Sequence, residues 1–241
     1  MKRFKMVQTL LIDLDHTLWD FESNSKVALM QAMDHMNIFD WVDDYDLFFE
    51  EYEKINKRYW GLYRQRQIDK DKLIVGRFED TFEMVLPKAK GLGLKLNDTY
   101  LEFMPLQNKL MPGALEFLEY AKGRYTIVVV TNGFKSVQRK KMYTSKIDQF
   151  IDHVVISEEV GAPKPSPKIF QRALSCANSS KINALMIGDS LEADVQGGVD
   201  FGIKTIYFGD KENVPSTLKD SPFLIDSTDD WGQIRRILQP S

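Results

Sequence analysis

The chain has very little cysteine. Cys176 is the single one among 241 residues, so no intrachain disulfide can form and a reducing compartment is expected. No paired base stands near it in sequence, so Cys176 reads as a small buried helix residue rather than a catalytic thiol. No apolar run approaches the ~18 residues that a membrane-spanning helix needs. Charge of one sign is not in great surplus: the net charge is −3, which excludes the broad electrostatics of a nucleic-acid polymer binder. Internal repeats and low-complexity tracts are missing. Residues Met1-Lys2-Arg3-Phe4-Lys5 are basic, but no small-residue cleavage site follows the apolar run behind them. That run is expected to be a core strand rather than a signal peptide, and the protein to be cytoplasmic.

What the chain does have is core-forming material. At 43% hydrophobic and 28% charged, it can build one large core or two modest domains. No strand pattern appears between Thr17 and about Tyr125. In that stretch Trp41, Tyr45, Phe48, Tyr52, Ile55, Tyr59 and Tyr63 recur at spacings of three and four, which puts them on one helix stripe read as packing. Helices are predicted near 23–36, 43–67, 70–86 and 97–108, with Gly91-Leu92-Gly93 breaking the run before the last.

From Pro112-Gly113 onward the pattern alternates. Strands are predicted at 125–131, 153–156, 183–188 and 203–208, and helices at 113–122, after Gly133, at 166–177 and at 191–201. A closing strand and helix fill 223–238. This alternation implies an α/β fold with a doubly wound parallel sheet. Lys135, Arg139, Lys140, Lys141 and Lys146 form the densest basic cluster, read as a solvated helix face.

The chemistry-bearing residues gather at predicted strand ends. The apolar run Val7–Ile12 leads into Asp13-Leu14-Asp15-His16-Thr17. The run Ile127–Val130 ends in Thr131-Asn132-Gly133. Lys164 lies in Gly161-Ala162-Pro163-Lys164-Pro165, and Ala184–Ile187 ends in Gly188-Asp189-Ser190 with Asp194 following. Ligands of open α/β sheets bind outside the carboxyl ends of the strands. Paired carboxylates, a hydroxyl, a lysine and two more acids in that position suit phosphoryl transfer, which needs in-line attack and charge neutralisation.

In these four segments the chain resembles the haloacid dehalogenase (HAD) superfamily, and the resemblance covers nearly its whole length. More narrowly, Thr131-Asn132-Gly133-Phe134, Val155–Gly161 and Gly188-Asp189-Ser190-Leu191-Glu192 resemble the bacterial pyrimidine 5′-nucleotidases of the YjjG type. So do Asn56-Lys57, Trp60 and Gly76-Arg77-Phe78-Glu79. The resemblance implies a Rossmann-like core over 1–17 and 109–241, with an inserted helical-bundle cap domain over 18–108.

It also implies roles. Asp13 is expected to be the nucleophile that forms an aspartyl-phosphate, and Asp15 the general acid/base. Thr131 and Asn132 are expected to hold the phosphate, and Lys164 to neutralise its charge. Mg²⁺ is the implied cofactor, held by Asp13, Asp189 and the backbone carbonyl of Asp15. Asp194, Ser190 and Thr17 are expected to support this set, and no catalytic role is expected of His16. Trp19, Phe21, Asn56, Trp60 and Arg77 are the candidates for facing the leaving group. The implied substrate is a small phosphate ester, a nucleotide such as dUMP, dTMP or UMP, turned over by a monomer or homodimer with no membrane or nucleic-acid polymer partner. A phosphatase or phosphomutase acting on sugar phosphates or other small phosphorylated metabolites is the alternative. Asp15 argues against a dehalogenase, and the intact polar set argues against a non-catalytic binding protein.

Overall fold

Runs of β-branched and apolar residues set the strands, and stripes at helical spacing set the helices between them. A computed structural model describes residues 7–239. The basic residues 1–5 lie outside the described residues, and the strand expected over Val7–Ile12 begins at Thr9. The chain passes through β1 (Thr9–Ile12) into four long helices: α1 (Phe21–His35), α2 (Tyr45–Arg64), α3 (Lys70–Val85) and α4 (Gly93–Phe103). It returns through α5 (Ala114–Ala121), β2 (Thr126–Thr131), α6 (Lys135–Thr144), β3 (His153–Ile156), α7 (Ser157–Val160) and α8 (Pro167–Cys176). It closes with β4 (Ala184–Gly188), α9 (Gly197–Phe201), β5 (Lys204–Tyr207), α10 (Ser216–Lys219), β6 (Leu224–Ser227) and α11 (Trp231–Leu238).

The chain divides into two units. One runs up to Phe21 and resumes at Asn108; the other is Glu22–Gln107. The first junction follows Phe21 rather than Thr17 because residues 18–20 pair with the returning chain. Met111 N–H donates to Leu18 O at 2.9 Å and Asp20 N–H to Lys109 O at 3.1 Å.

In the first unit the strands form one parallel sheet in the order β3-β2-β1-β4-β5-β6, as the alternation implies. Leu11 on β1 is in register with Val128 and Met186, and Ile12 with Val129 and Ile187. All are fully buried, as expected of a central parallel strand covered on both faces. Phe170, Ile169 and Ala173 of α8 pack on Leu11, Val128 and Met186. Each of the larger side chains in this set stabilises by about 1.5–3 kcal/mol through burial. Cys176 is half-buried at the end of α8, packed against that cluster, not fully buried as expected. The helix predicted over 191–201 is in two parts: a single π-turn over Leu191–Gln196, then α9.

In the second unit Asp44 caps α2 by accepting from Leu47 N–H at 3.1 Å. Phe48, Tyr52, Ile55 and Tyr59 are buried along one face, as the spacing predicts, and Phe49 joins them. Trp41 is outside the stripe, in a short turn ahead of the cap, and 40% exposed. Phe78 of α3 stacks on Tyr52 with ring centres 5.1 Å apart. At Gly76 an added Cβ would stand 2.5 Å from the Tyr59 ring, so only glycine lets α2 and α3 approach this closely. Glu79 accepts from Gly91 N–H at 2.8 Å and Gly93 N–H at 2.5 Å, which starts α4 at Gly93, four residues before the predicted 97. Among the described residues no helix is long and apolar enough to cross a membrane.

Candidate active site

β1 delivers the first acid. Asp13 follows the strand directly, and its N–H donates to Ile187 O at 2.9 Å, which prolongs the ladder. The chain then turns sharply. His16 adopts a left-handed φ of 63°, and Leu18 and Trp19 both donate their N–H groups to Leu14 O. Within this turn Thr17 is fully buried. Its hydroxyl donates to Asp189 Oδ1 at 3.2 Å and accepts from Asp189 N–H at 3.1 Å, binding the β1 and β4 ends together.

Lys164 lies at the centre, 1% exposed. Its ammonium donates to Asp13 Oδ1 and to Val130 O, and stands 2.7 Å from Asp194 Oδ1. The Asn132 side chain aims it. Asn132 Oδ1 accepts from Lys164 N–H at 2.8 Å, and Asn132 Nδ2 donates to Lys164 O at 3.0 Å. That side-chain amide is therefore engaged as a backbone clamp, which leaves the phosphate contact expected of Asn132 to its backbone N–H.

Thr131 ends β2, almost fully buried. Its hydroxyl oxygen accepts from Gly133 N–H at 3.1 Å and from Gln138 Nε2 at 2.6 Å. Both lone pairs are engaged, so the group it can offer an anion is its own O–H proton.

Asp194 is 1% exposed on the π-turn. Its Oδ2 accepts from Ser190 N–H at 3.0 Å, and Ser190 Oγ caps the turn by accepting from Ala193 N–H at 3.1 Å. A Cβ at Gly188 would overlap the Asp194 carboxylate, so the glycine is what lets this acid lie under the strand end. Insertions of this kind recur at functional sites because they re-aim one side chain without ending a helix.

Oxygen atoms of Asp13, Asp189 and Asp194 lie within 4.8 Å of one another. One buried ammonium, Lys164, faces these three carboxylates. Burial and the neighbouring Asp194 and Asp189 push the Asp13 carboxyl well above the usual range, against the pull of Lys164. Burial and Asp194 likewise push Asp189 up to about 6, against His16, Lys164 and the Thr17 hydroxyl. Lys164 is raised, because Asp13 and Asp194 outweigh its burial. The set is short of positive charge and made of hard oxygens, and so fits a divalent cation.

Asp15 is in different surroundings. Its carboxylate meets Lys141 Nζ at 2.7 Å and Gln138 Nε2 at 2.8 Å, both from α6. Burial favours the neutral form, but Lys141 and these hydrogen bonds win and hold Asp15 below the usual carboxylate range. Lys141 in turn is lowered by its burial despite Asp15. Lys141 was expected on a solvated face and is instead almost fully buried. Lys135 and Arg139 follow the expectation more closely, as partly exposed partners of Glu159. The sequence reading missed Gln138 and Lys141. Their spacing of three beside the buried Val137 and Met142 marks an inward face.

The leaving-group candidates scatter. Trp19 is fully buried, with its Nε1–H donating to Ser145 Oγ at 3.1 Å, so it packs rather than faces a substrate. Phe21 is half-buried, with its ring 4.7 Å from the exposed His16 ring. Trp60 is half-buried and edge-on to Tyr63. Arg77 and Asn56 lie inside the helical unit. Arg77 donates to Asn56 Oδ1 at 3.0 Å and to Asn97 Oδ1 at 2.7 Å, and its guanidinium lies 4.8 Å from the Phe78 ring centre. Both therefore act as internal struts, which corrects the expectation that they contact substrate.

Comparison with known proteins matches residues 7–202 to a family model described as haloacid dehalogenase-like hydrolase. Pyrimidine 5′-nucleotidase YjjG of Escherichia coli is 34% identical over 199 residues, covering 82% of this chain and 84% of that protein. Pyrimidine 5′-nucleotidase PynA of Streptococcus pneumoniae is 32% identical over 201 residues, covering 83% and 82%. A glyceraldehyde 3-phosphate phosphatase of Pyrococcus furiosus is 30% identical over 208 residues, covering 85% and 81%. Among solved structures, the putative HAD-hydrolase YfnB from Bacillus subtilis bound to magnesium superposes with a TM-score of 0.83 at 24% identity, covering 98% of this chain and all of that one. A dehalogenase structure superposes at 0.74 with 19% identity, covering 98% and 99%. These structural likenesses concern the fold alone.

Proposed function

This chain belongs to the haloacid dehalogenase-like hydrolases, and we propose that it hydrolyses pyrimidine nucleoside 5′-monophosphates, with Mg²⁺, through an aspartyl-phosphate on Asp13. The observation that carries this reading is Lys164, a buried ammonium bonded to Asp13 among three carboxylates at the ends of β1 and β4. Asp13 attacks phosphorus as the bond to the leaving alcohol breaks. Lys164 and the Thr131 hydroxyl neutralise and hold the transferring group. Asp15 protonates the departing oxygen. It is ionised at rest, so it takes up that proton as the anionic substrate arrives and raises its pKa. Water then attacks phosphorus of the phosphoenzyme while Asp15 accepts its proton, releasing phosphate and restoring Asp13. When bound, Mg²⁺ screens the repulsion between the anionic nucleophile and the anionic phosphate; Asp13, Asp189 and the Asp15 carbonyl would hold it.

The pyrimidine preference rests on the similarity to two pyrimidine 5′-nucleotidases. A second reading, hydrolysis of a small sugar phosphate, is favoured by the similarity to glyceraldehyde 3-phosphate phosphatase. The test is phosphate release from a panel of nucleoside monophosphates and sugar phosphates, with and without Mg²⁺. Release that needs Mg²⁺ and favours dUMP, dTMP or UMP by about tenfold in kcat/KM, ~1.4 kcal/mol in the barrier, is expected. Sugar phosphates turned over as well or better would remove the substrate assignment and keep the Asp13 chemistry.

A further inference from the structure

Gln138 and Lys141 stand three residues apart on one face of α6, and both reach Asp15. Lys141 Nζ lies 2.7 Å from Asp15 Oδ1, with only 3% of the lysine side chain exposed. Gln138 Nε2 donates to Asp15 Oδ2 at 2.8 Å. The two carboxylate oxygens thus have separate donors, which fixes rotation about the last side-chain bond of Asp15. The ammonium is itself confined. It lies 4.1 Å from the Trp19 ring centre and 5.2 Å from that of Phe21. Trp19 is pinned in turn by Ser145, just past the end of α6. Lys164 already supplies the cation beside the nucleophile, so Lys141 is surplus to that need.

We propose that Lys141, assisted by Gln138, is a positioning residue for the leaving-group step: the pair holds the Asp15 carboxyl in the orientation from which it protonates the departing alcohol. The inference rests on the phosphoryl transfer to Asp13 described above. In that step the Asp13–phosphorus bond forms, the bond from phosphorus to the alcohol oxygen breaks, and the Asp15 proton goes to that oxygen. Dependence on the proton grows with the basicity of the leaving oxygen. An alkyl or nucleoside oxygen needs it, whereas p-nitrophenolate departs without it.

The test measures kcat/KM for p-nitrophenyl phosphate and for the alkyl phosphate that wild type turns over best, using wild type, Lys141→Arg and Lys141→Met. kcat/KM reports steps up to the phosphoenzyme, so the shared hydrolysis of that intermediate drops out. General acids contribute roughly 10²–10⁴-fold, so Lys141→Met is expected to lower the alkyl-to-aryl ratio by about tenfold or more. Lys141→Arg, which keeps the cation, is expected to restore most of it. A lysine that only supported the fold would lower both esters by the same factor, and that result overturns the proposal. If Lys141→Met does not fold, Gln138→Met must lower the ratio in the same direction, and equal losses again overturn it. Wild type inactive on every ester would overturn the phosphatase reading beneath it, an outcome distinct from equal losses.

Discussion

The two units bury basic side chains in opposite company. In the α/β unit Lys164 and Lys141 meet carboxylates, three around the first and one at the second. In the helical unit Arg77 meets two neutral amides and the faces of two aromatic rings. Both arrangements hold a cation out of water, but the first leaves negative charge in excess, whereas the second gives its cation neutral partners and leaves Arg77 Nε without one. Excess charge is costly in a core, and it persists where a substrate or cation supplies what is missing. Arg77, between Asn56 and Asn97, braces α2, α3 and α4 against one another. What marks the chemistry is thus the surplus of carboxylates beside Lys164, not the burial of a charge as such.

Asp13→Asn should have the largest effect. It removes the nucleophile with little change in volume, so turnover should fall by more than about 10³-fold while circular dichroism stays native. Retained turnover would break the distinction at its strongest point. Chelation with EDTA should come next, with a loss of more than about 10²-fold that returns on adding Mg²⁺. Activity that survives chelation would remove Asp189 from the cation site.

Lys164→Met and Arg77→Met test the comparison directly. Lys164→Met leaves buried carboxylates without their cation, and should cost about 3–5 kcal/mol of stability as well as most of the activity. Arg77→Met leaves the Asn56 and Asn97 carbonyls unpaired, and should cost about 1–3 kcal/mol, read by denaturant unfolding. The kcat of its folded fraction should be unchanged. A large kcat loss there would mean that the helical-unit arginine also serves the chemistry. A cost similar to that of Arg77→Met, about 1–3 kcal/mol, is expected of Gly76→Ala, which drives a methyl group into the Tyr59 ring.

The α/β frame was legible because each central strand is a short apolar run followed at once by its polar residue, as at Ile12-Asp13 and Val130-Thr131. The aromatic stripe of α2 was legible for the same reason: period alone separates it from a strand. What escaped depended on partners distant in sequence. The Asn132 side chain pairs with the backbone of Lys164, 32 positions away, a contact that no local pattern announces. Lys141 lies in a basic run that reads as solvated, and its burial follows from Asp15, 126 positions earlier. Arg77 carried a family-like motif whose other three residues serve packing and capping: Gly76 against Tyr59, Phe78 on Tyr52, and Glu79 at the start of α4. The π-turn before α9 has no periodic signature, so 191–201 read as one helix.

The most direct measurement is a rapid acid quench of the protein turning over a phosphate ester labelled on phosphorus, followed by peptide mapping. The label is expected on the peptide that contains Asp13, and to be missing from Asp13→Asn. A protein that releases phosphate with no label on that peptide, or with label elsewhere, would contradict nucleophilic attack by Asp13.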